Sequence, residues 1–147
     1  MLATRRGEHP MMQPPIIYDD RGDVLIFDSP DWAESYLEPF VVRQSGPYGY
    51  DGIGHLLRFD IRVVRGRERV QVALAEPEPT HVSDLREILI RFLTKLGVVT
   101  RPDENLGLDE LIARAERFAI AKPKQSEIVP RFIADTWAAV RERFQSR

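Results

Sequence analysis

Residues 57–74 read LRFDIRVVRGRERVQVAL, and their spacing decides how the whole chain is organised. Leu57, Phe59, Ile61 and Val63 alternate with Arg58, Asp60 and Arg62. Past Gly66-Arg67 the same period of two returns in Val70, Val72 and Leu74. Successive side chains of a strand point to opposite faces, so this is the signature of two half-buried antiparallel strands joined by a tight turn.

Downstream the period changes. Pro77 and Pro79 stiffen the connection, and from residue 80 onward the apolar residues recur every 3.6 positions. Val82, Leu85, Ile88, Leu89, Phe92, Leu93 and Leu96 line one helical face, and Gly97 stands where a helix end favours a left-handed residue. Leu108, Leu111, Ile112, Ala115, Phe118 and Ala119 define a second helix. Val129, Phe132, Ile133, Thr136, Trp137, Val140 and Phe144 define a third.

Upstream, IIYDDRGDVLIF (16–27) holds two β-rich runs about Asp20-Arg21-Gly22, which is hairpin chemistry; strands are expected over 15–19 and 23–27. Ser29-Pro30 then offers an N-cap followed by proline at the first helical position, where its missing N–H is not needed. In that short helix Trp32, Ala33, Tyr36 and Leu37 share one side, and Asp31, Glu34 and Glu38 the other. Pro39 is expected to end it, FVVRQ (40–44) to resume as a strand, and SGPYGYDGIGH (45–55) to reverse the chain. The first 14 residues lack periodicity and read as a flexible arm.

Strands first and helices afterwards make an α+β domain. The expectation is one domain over 15–147. Its sheet part (15–76) has about four to six antiparallel strands and one short helix, and its helical part (80–147) has three helices. With 147 residues, 43% of them hydrophobic, the chain is large enough to build a core without staples. It has no cysteine, which excludes disulfides, thiolate zinc sites and cysteine nucleophiles. MLATRRGEHP is followed by no apolar run of signal-peptide length, and no uncharged stretch reaches the ~18 residues of a membrane span. A cytoplasmic protein without membrane contact is expected.

The residues that carry chemistry are sparse. His9, His55 and His81 make none of the spacings that hold a metal, so no metal or cofactor is expected. His55, beside a glycine turn, has the position of either a general base or a surface or edge residue, and the latter is the default. G-x-S-x-G and G-x-x-x-x-G-K-[ST] are absent, and Gly49, Gly52 and Gly54 read as turn glycines. The arginines of VVRGRERV occupy a hairpin tip without aromatic neighbours in a chain of net charge −2, which reads as a solvated turn and not a nucleic-acid surface. No nucleophile, base and oxyanion set can be assembled, so catalytic residues are none and an enzyme is not expected.

Charge is uneven along the chain. Residues 19–38 hold seven carboxylates (Asp19, Asp20, Asp23, Asp28, Asp31, Glu34, Glu38) against Arg21, a sum of −6. On a helix face opposite the apolar stripe such acids stay hydrated and ionised, which suits either plain solvation or docking of a basic partner. Asp28, Asp31, Glu34 and Glu38, with Tyr48 and Tyr50 as amphipathic anchors, form the candidate partner-binding set.

The ordered signals PPIIYDDRGDVLIFDSPDWAESYLEPFVVR (14–43) and YGYDGIGHLLRF (48–59) resemble a group of short bacterial proteins. Those proteins begin near a P-P-I-I segment and continue with an L-x-I-F strand, an A-x-x-Y-L-E-P helix end and a Y-x-x-Y-D-x-x-G turn. That group is associated with immunity proteins encoded beside polymorphic or contact-delivered toxins. The likeness spans about residues 14–60 and departs at Gly52-Ile53-Gly54, where a more polar turn is expected. It implies a non-enzymatic protein whose partner is a cognate toxin domain, with no nucleic acid involved, and a natural start at Met11 or Met12. A second reading is an adaptor module that binds through helices 82–96 and 129–145, which an exposed apolar stripe would mark.

Overall fold

The central hairpin forms as its alternation requires. β4 (Leu56–Val64) and β5 (Arg67–Leu74) pair antiparallel, with Leu57 opposite Leu74 and Val64 opposite Arg67. The reversal is Arg65-Gly66, one residue earlier than Gly66-Arg67. Both residues have positive φ, 52° and 78°, which is the two-residue type I′ turn whose twist matches that of the strands. The computed structural model describes residues 12–101 and 105–119. Around this hairpin the order is β1 (Ile16–Asp20), β2 (Asp23–Phe27), α1 (Pro30–Tyr36), α2 (Pro39–Ser45) and β3 (Tyr48–Tyr50), then β4 and β5. α3 (Val82–Lys95) and α4 (Leu108–Glu116) follow. The strands make one antiparallel sheet in the order β2-β1-β3-β4-β5, so the architecture is α+β, a five-stranded sheet followed by helices.

The sheet has a different cover on each face. On one side Ile16, Tyr18, Leu25, Phe27, Leu57, Phe59, Val70 and Val72 pack with Ala33 and Leu37 of the α1 region and Val42 of α2. On the other, Ile17, Val24 and Ile26 pack with Leu85, Leu89, Phe92 and Leu93 of α3 and Leu111, Ile112 and Ala115 of α4. β1 and β2 are therefore buried on both faces, which explains their continuous apolar runs. β4 and β5 contribute only one face to a core, as their strict alternation dictates.

α1 starts where expected: the Ser29 hydroxyl accepts the Trp32 N–H at 3.0 Å, with Pro30 behind it. α3 ends as expected, with Gly97 at φ 75° and the Val98 N–H returning to the Leu93 carbonyl at 2.9 Å.

Two further expectations need correction. FVVRQ is not a strand; it lies in α2, because Pro39 occupies the first turn of a new helix in addition to closing α1. The sheet part thus carries two short helices instead of one. Residues 12–14, assigned to the arm, are anchored. Met12 is buried in the core, and the Gln13 carbonyl accepts the Gly52 N–H at 2.6 Å. The remainder of the arm and the helix expected over 129–144 lie outside the described residues.

Candidate functional site

The six residues singled out from the sequence do not converge on one surface. Asp28, Asp31 and Glu38 are exposed, on the α1–α2 side of the sheet or beside it. Tyr48 and Tyr50 share the parity of Ile17, which stands opposite Tyr50, and so belong to the other face. Tyr50 is half-buried against the α3–α4 core, where burial, followed by the field of Asp84, raises its pKa. Tyr48 is exposed; its hydroxyl accepts from Arg58 at 3.1 Å, and the guanidinium lies 5.6 Å from the ring centroid.

Glu34 has a different task from the one its helical position implied. Its Oε2 accepts the Val72 N–H at 2.7 Å. β5 is an edge strand, and Val72, opposite Phe59, directs its N–H away from β4. A carboxylate from α1 thus occupies a donor that would otherwise be open to another chain. The sequence pattern groups Glu34 with the hydrated acids opposite the apolar stripe and gives no sign of the edge strand against which it is half-buried.

The main apolar feature on this side is a groove of about 560 Å³ between α1 and α2, lined by Asp20, Leu25, Trp32, Ser35, Tyr36, Leu37, Glu38, Phe40 and Val41. Tyr36 is 39% exposed and Phe40 53%. The Tyr36 ring packs against Phe27 at 5.4 Å and Trp32 at 5.7 Å, which fixes its orientation. Tyr36 read as a core residue and Phe40 as a strand residue. The available signal was Pro39: a proline that opens a helix puts the next residue in its first turn, where Phe40 stands outward. Glu38 and Asp20 provide negative charge at the rim, and the Asp20 carboxylate is hydrogen-bonded by the Ser45 hydroxyl.

Chemistry-bearing groups elsewhere are used structurally. Asp51 is fully buried and accepts four hydrogen bonds. The N–H groups of Ile53 (3.1 Å) and His55 (2.9 Å) reach Oδ1, and the Gln13 N–H (2.9 Å) and His55 Nδ1 (2.7 Å) reach Oδ2. His55 is 2% exposed, and its Nε2 has no partner among the described residues. An aspartate that orients a histidine is one part of a catalytic dyad. Here the same carboxylate ties the N-terminal segment to the β3–β4 turn, and neither residue lines any of the grooves described. His81 joins the end of β5 to α3 through Glu76 (3.0 Å) and Asp84 (2.8 Å), and those bonds, to Asp84 first, raise its pKa. Among the described residues no group of three or more His, Asp or Glu side chains gathers as for a metal, and no helix is long and apolar enough to cross a membrane.

Fold and groove together define an α+β protein with a five-stranded antiparallel sheet and an aromatic, acid-rimmed surface between its first two helices. Comparison with protein-family models, curated proteins and solved structures finds no match.

Proposed function

We propose that this chain is a non-enzymatic immunity protein that neutralises a cognate bacterial toxin by binding it, with the α1–α2 groove as the contact surface. One observation carries the choice of surface: Tyr36 and Phe40 stand exposed beside a groove with Glu38 and Asp20 at its rim. Aromatic side chains held by packing are the residues that dominate interface energies, and a ring of acids steers a basic partner and disfavours an acidic one. The toxin itself enters from the sequence resemblance over residues 14–60. Asp28 and Asp31 add to the same acidic flank; Tyr48 and Tyr50 drop out of this contact, since they lie across the sheet.

The adaptor reading loses the feature that motivated it at 82–96. Leu85, Leu89, Phe92 and Leu93 are buried against the sheet, Leu96 at the helix end is the exposed member of the stripe, and the outer side of α3 carries Ser83, Arg86, Glu87, Ile90, Arg91, Thr94 and Lys95. The 129–145 half of that reading lies outside the described residues.

The test is co-expression with the toxin domain of the adjacent reading frame, read as growth protection and as affinity of the purified pair. Tyr36→Ala with Phe40→Ala is expected to weaken binding by about 30-fold or more, the scale of losing an interface anchor. Charge reversal of Asp31 and Glu38 to lysine slows association. Unchanged affinity in the double alanine variant removes the groove from the contact, and absence of any complex removes the immunity reading.

A further inference from the structure

A second surface carries the opposite charge and has no role in the groove. Every residue from 62 to 69 is exposed, so the β4–β5 hairpin projects past the packed part of the sheet. Its tip holds Arg62, Arg65, Arg67 and Arg69. Glu68, the one acid there, is paired with Arg43 of α2. Arg62 stands directly opposite Arg69, and like charges in that position destabilise a strand pair. The nearest relief is Asp60, 3.9 Å from Arg62 and already held by Arg58 at 2.7 Å.

Several cations elsewhere are engaged. Arg58, Arg91, Arg114 and Lys95 each pair with a carboxylate. Among the described residues, no ion pair or hydrogen bond engages the side chains of Arg65, Arg67 or Arg69. Together with Val64 they line a concavity of about 440 Å³. Val64 is 37% exposed, and Val63, on the reverse side of the strand, is 71% exposed.

A cluster of unpaired guanidinium groups fits carboxylates or phosphates. Two observations favour a protein. Residues 61–74 contain no aromatic side chain on which a base could stack, and Tyr48, the exposed ring on the same sheet face, is already covered by Arg58. Arginine is enriched at protein interfaces, and the exposed apolar surface of Val63 and Val64 beside it suits burial against a protein chain. The 28 residues 120–147 are a poor occupant, since their six bases and three acids give them a net charge of +3.

We infer that the tip of the β4–β5 hairpin is a docking element for an acidic protein segment, whose carboxylates seat among Arg65, Arg67 and Arg69 while its apolar side chains cover Val64. This surface shares no lining residue with the α1–α2 groove, although Arg69 also borders a concavity with Asp31 and Glu34 of α1, and the inference does not depend on the toxin reading.

The experiment uses the full chain and two fluorescent probes at about 0.15 M salt, where weak long-range attraction is screened. One probe is a synthetic peptide alternating glutamate and leucine; the other is a single-stranded oligodeoxynucleotide of mixed sequence. Arg67→Gln with Arg69→Gln tests the site, and Arg65 is left alone because its φ of 52° belongs to the turn. The peptide is expected to bind the native chain, and the double glutamine variant to lose about tenfold or more in affinity. The paired lysine variant, which keeps charge but not the two-pronged geometry, is expected to fall between. Circular dichroism and urea melts that match the native chain tie the loss to the side chains. Three results overturn the inference: no binding of the peptide, peptide affinity equal in native and glutamine chains, or tighter binding of the oligonucleotide than of the peptide.

Discussion

The two hairpins of the sheet share a turn and differ in everything that surrounds it. Arg21-Gly22 has φ of 53° and 101°, and Arg65-Gly66 has 52° and 78°, so both reversals are type I′ with arginine in the first left-handed position. Yet β1–β2 lies between two cores, and β4–β5 presents one face to a core and leaves Arg58, Arg62, Arg69, Gln71 and Ala73 open on the other. The turn sets the pairing register; the side chains between the turns decide whether a second layer of helices can sit there. IIY and VLIF offer apolar residues on both faces, and α3 with α4 takes the second one. LRFDIRVV offers a charged row that no apolar helix can cover without large desolvation cost.

Substitutions at matched positions sharpen this comparison, and the largest effect belongs to β2. Ile26→Asp places a charge under α3 and is expected to cost about 4 kcal/mol or more, a large share of the roughly 5–15 kcal/mol that holds a domain folded. Gln71→Asp on the open face of β5 should change stability by less than ~0.5 kcal/mol in the same urea melt. If both variants melt alike, the two-sided and one-sided description of the sheet is wrong. Next comes Asp51→Ala, which strips the acceptor from three main-chain N–H groups, that of His55 buried, and from His55 Nδ1. A loss of about 3 kcal/mol is expected, with faster amide exchange at Gln13 as the local sign that the N-terminal segment has come away.

A smaller effect attends the edge of β5. Glu34→Ala frees the Val72 N–H and is expected to cost about 1–2 kcal/mol, with increased exchange at Val72 and greater self-association. Smaller again is the pH response of His81, which links the open hairpin to the helical layer. Its pKa is raised in the folded chain by Asp84 and Glu76. The stabilisation it brings is therefore complete below the ordinary value of 6.5 and is lost as pH climbs through the raised one. His81→Ala should flatten the slope of stability against pH from 6.5 upward. Tyr18 acts in the same direction at the alkaline end: burial, with Asp20 beside it, pushes its pKa up to about 12. Its hydroxyl, which donates to the Gly46 carbonyl at 2.7 Å, resists ionisation until the fold gives way.

Local rules were enough where the cause is local. The period of two in 57–74, the Ser29-Pro30 helix start and the Gly97 helix end all depend on residues within a turn of one another, and all three could be read from the sequence. FVVRQ is helical although valine and phenylalanine favour strands, because Pro39 opens a helix as well as closing one and Val42 is buried beside Ala33 and Leu37, a tertiary contact that overrides local propensity. The candidate site was less legible still. Glu34 and Asp51 owe their roles to partners 38 residues away, Val72 and Gln13, which no spacing rule connects. Tyr48 and Tyr50 are near neighbours of the acids in sequence and lie across the sheet from them in space.

The carboxylate laid against Val72 also limits how β5 can be recognised. A foreign peptide seeking to extend the sheet across Val72 would find that main-chain donor already taken, and would have to evict a charged group from α1 to pair at that position. At that point of the flank, recognition is shifted toward side-chain chemistry, which makes selectivity there a matter of residue identity and open to tuning one substitution at a time.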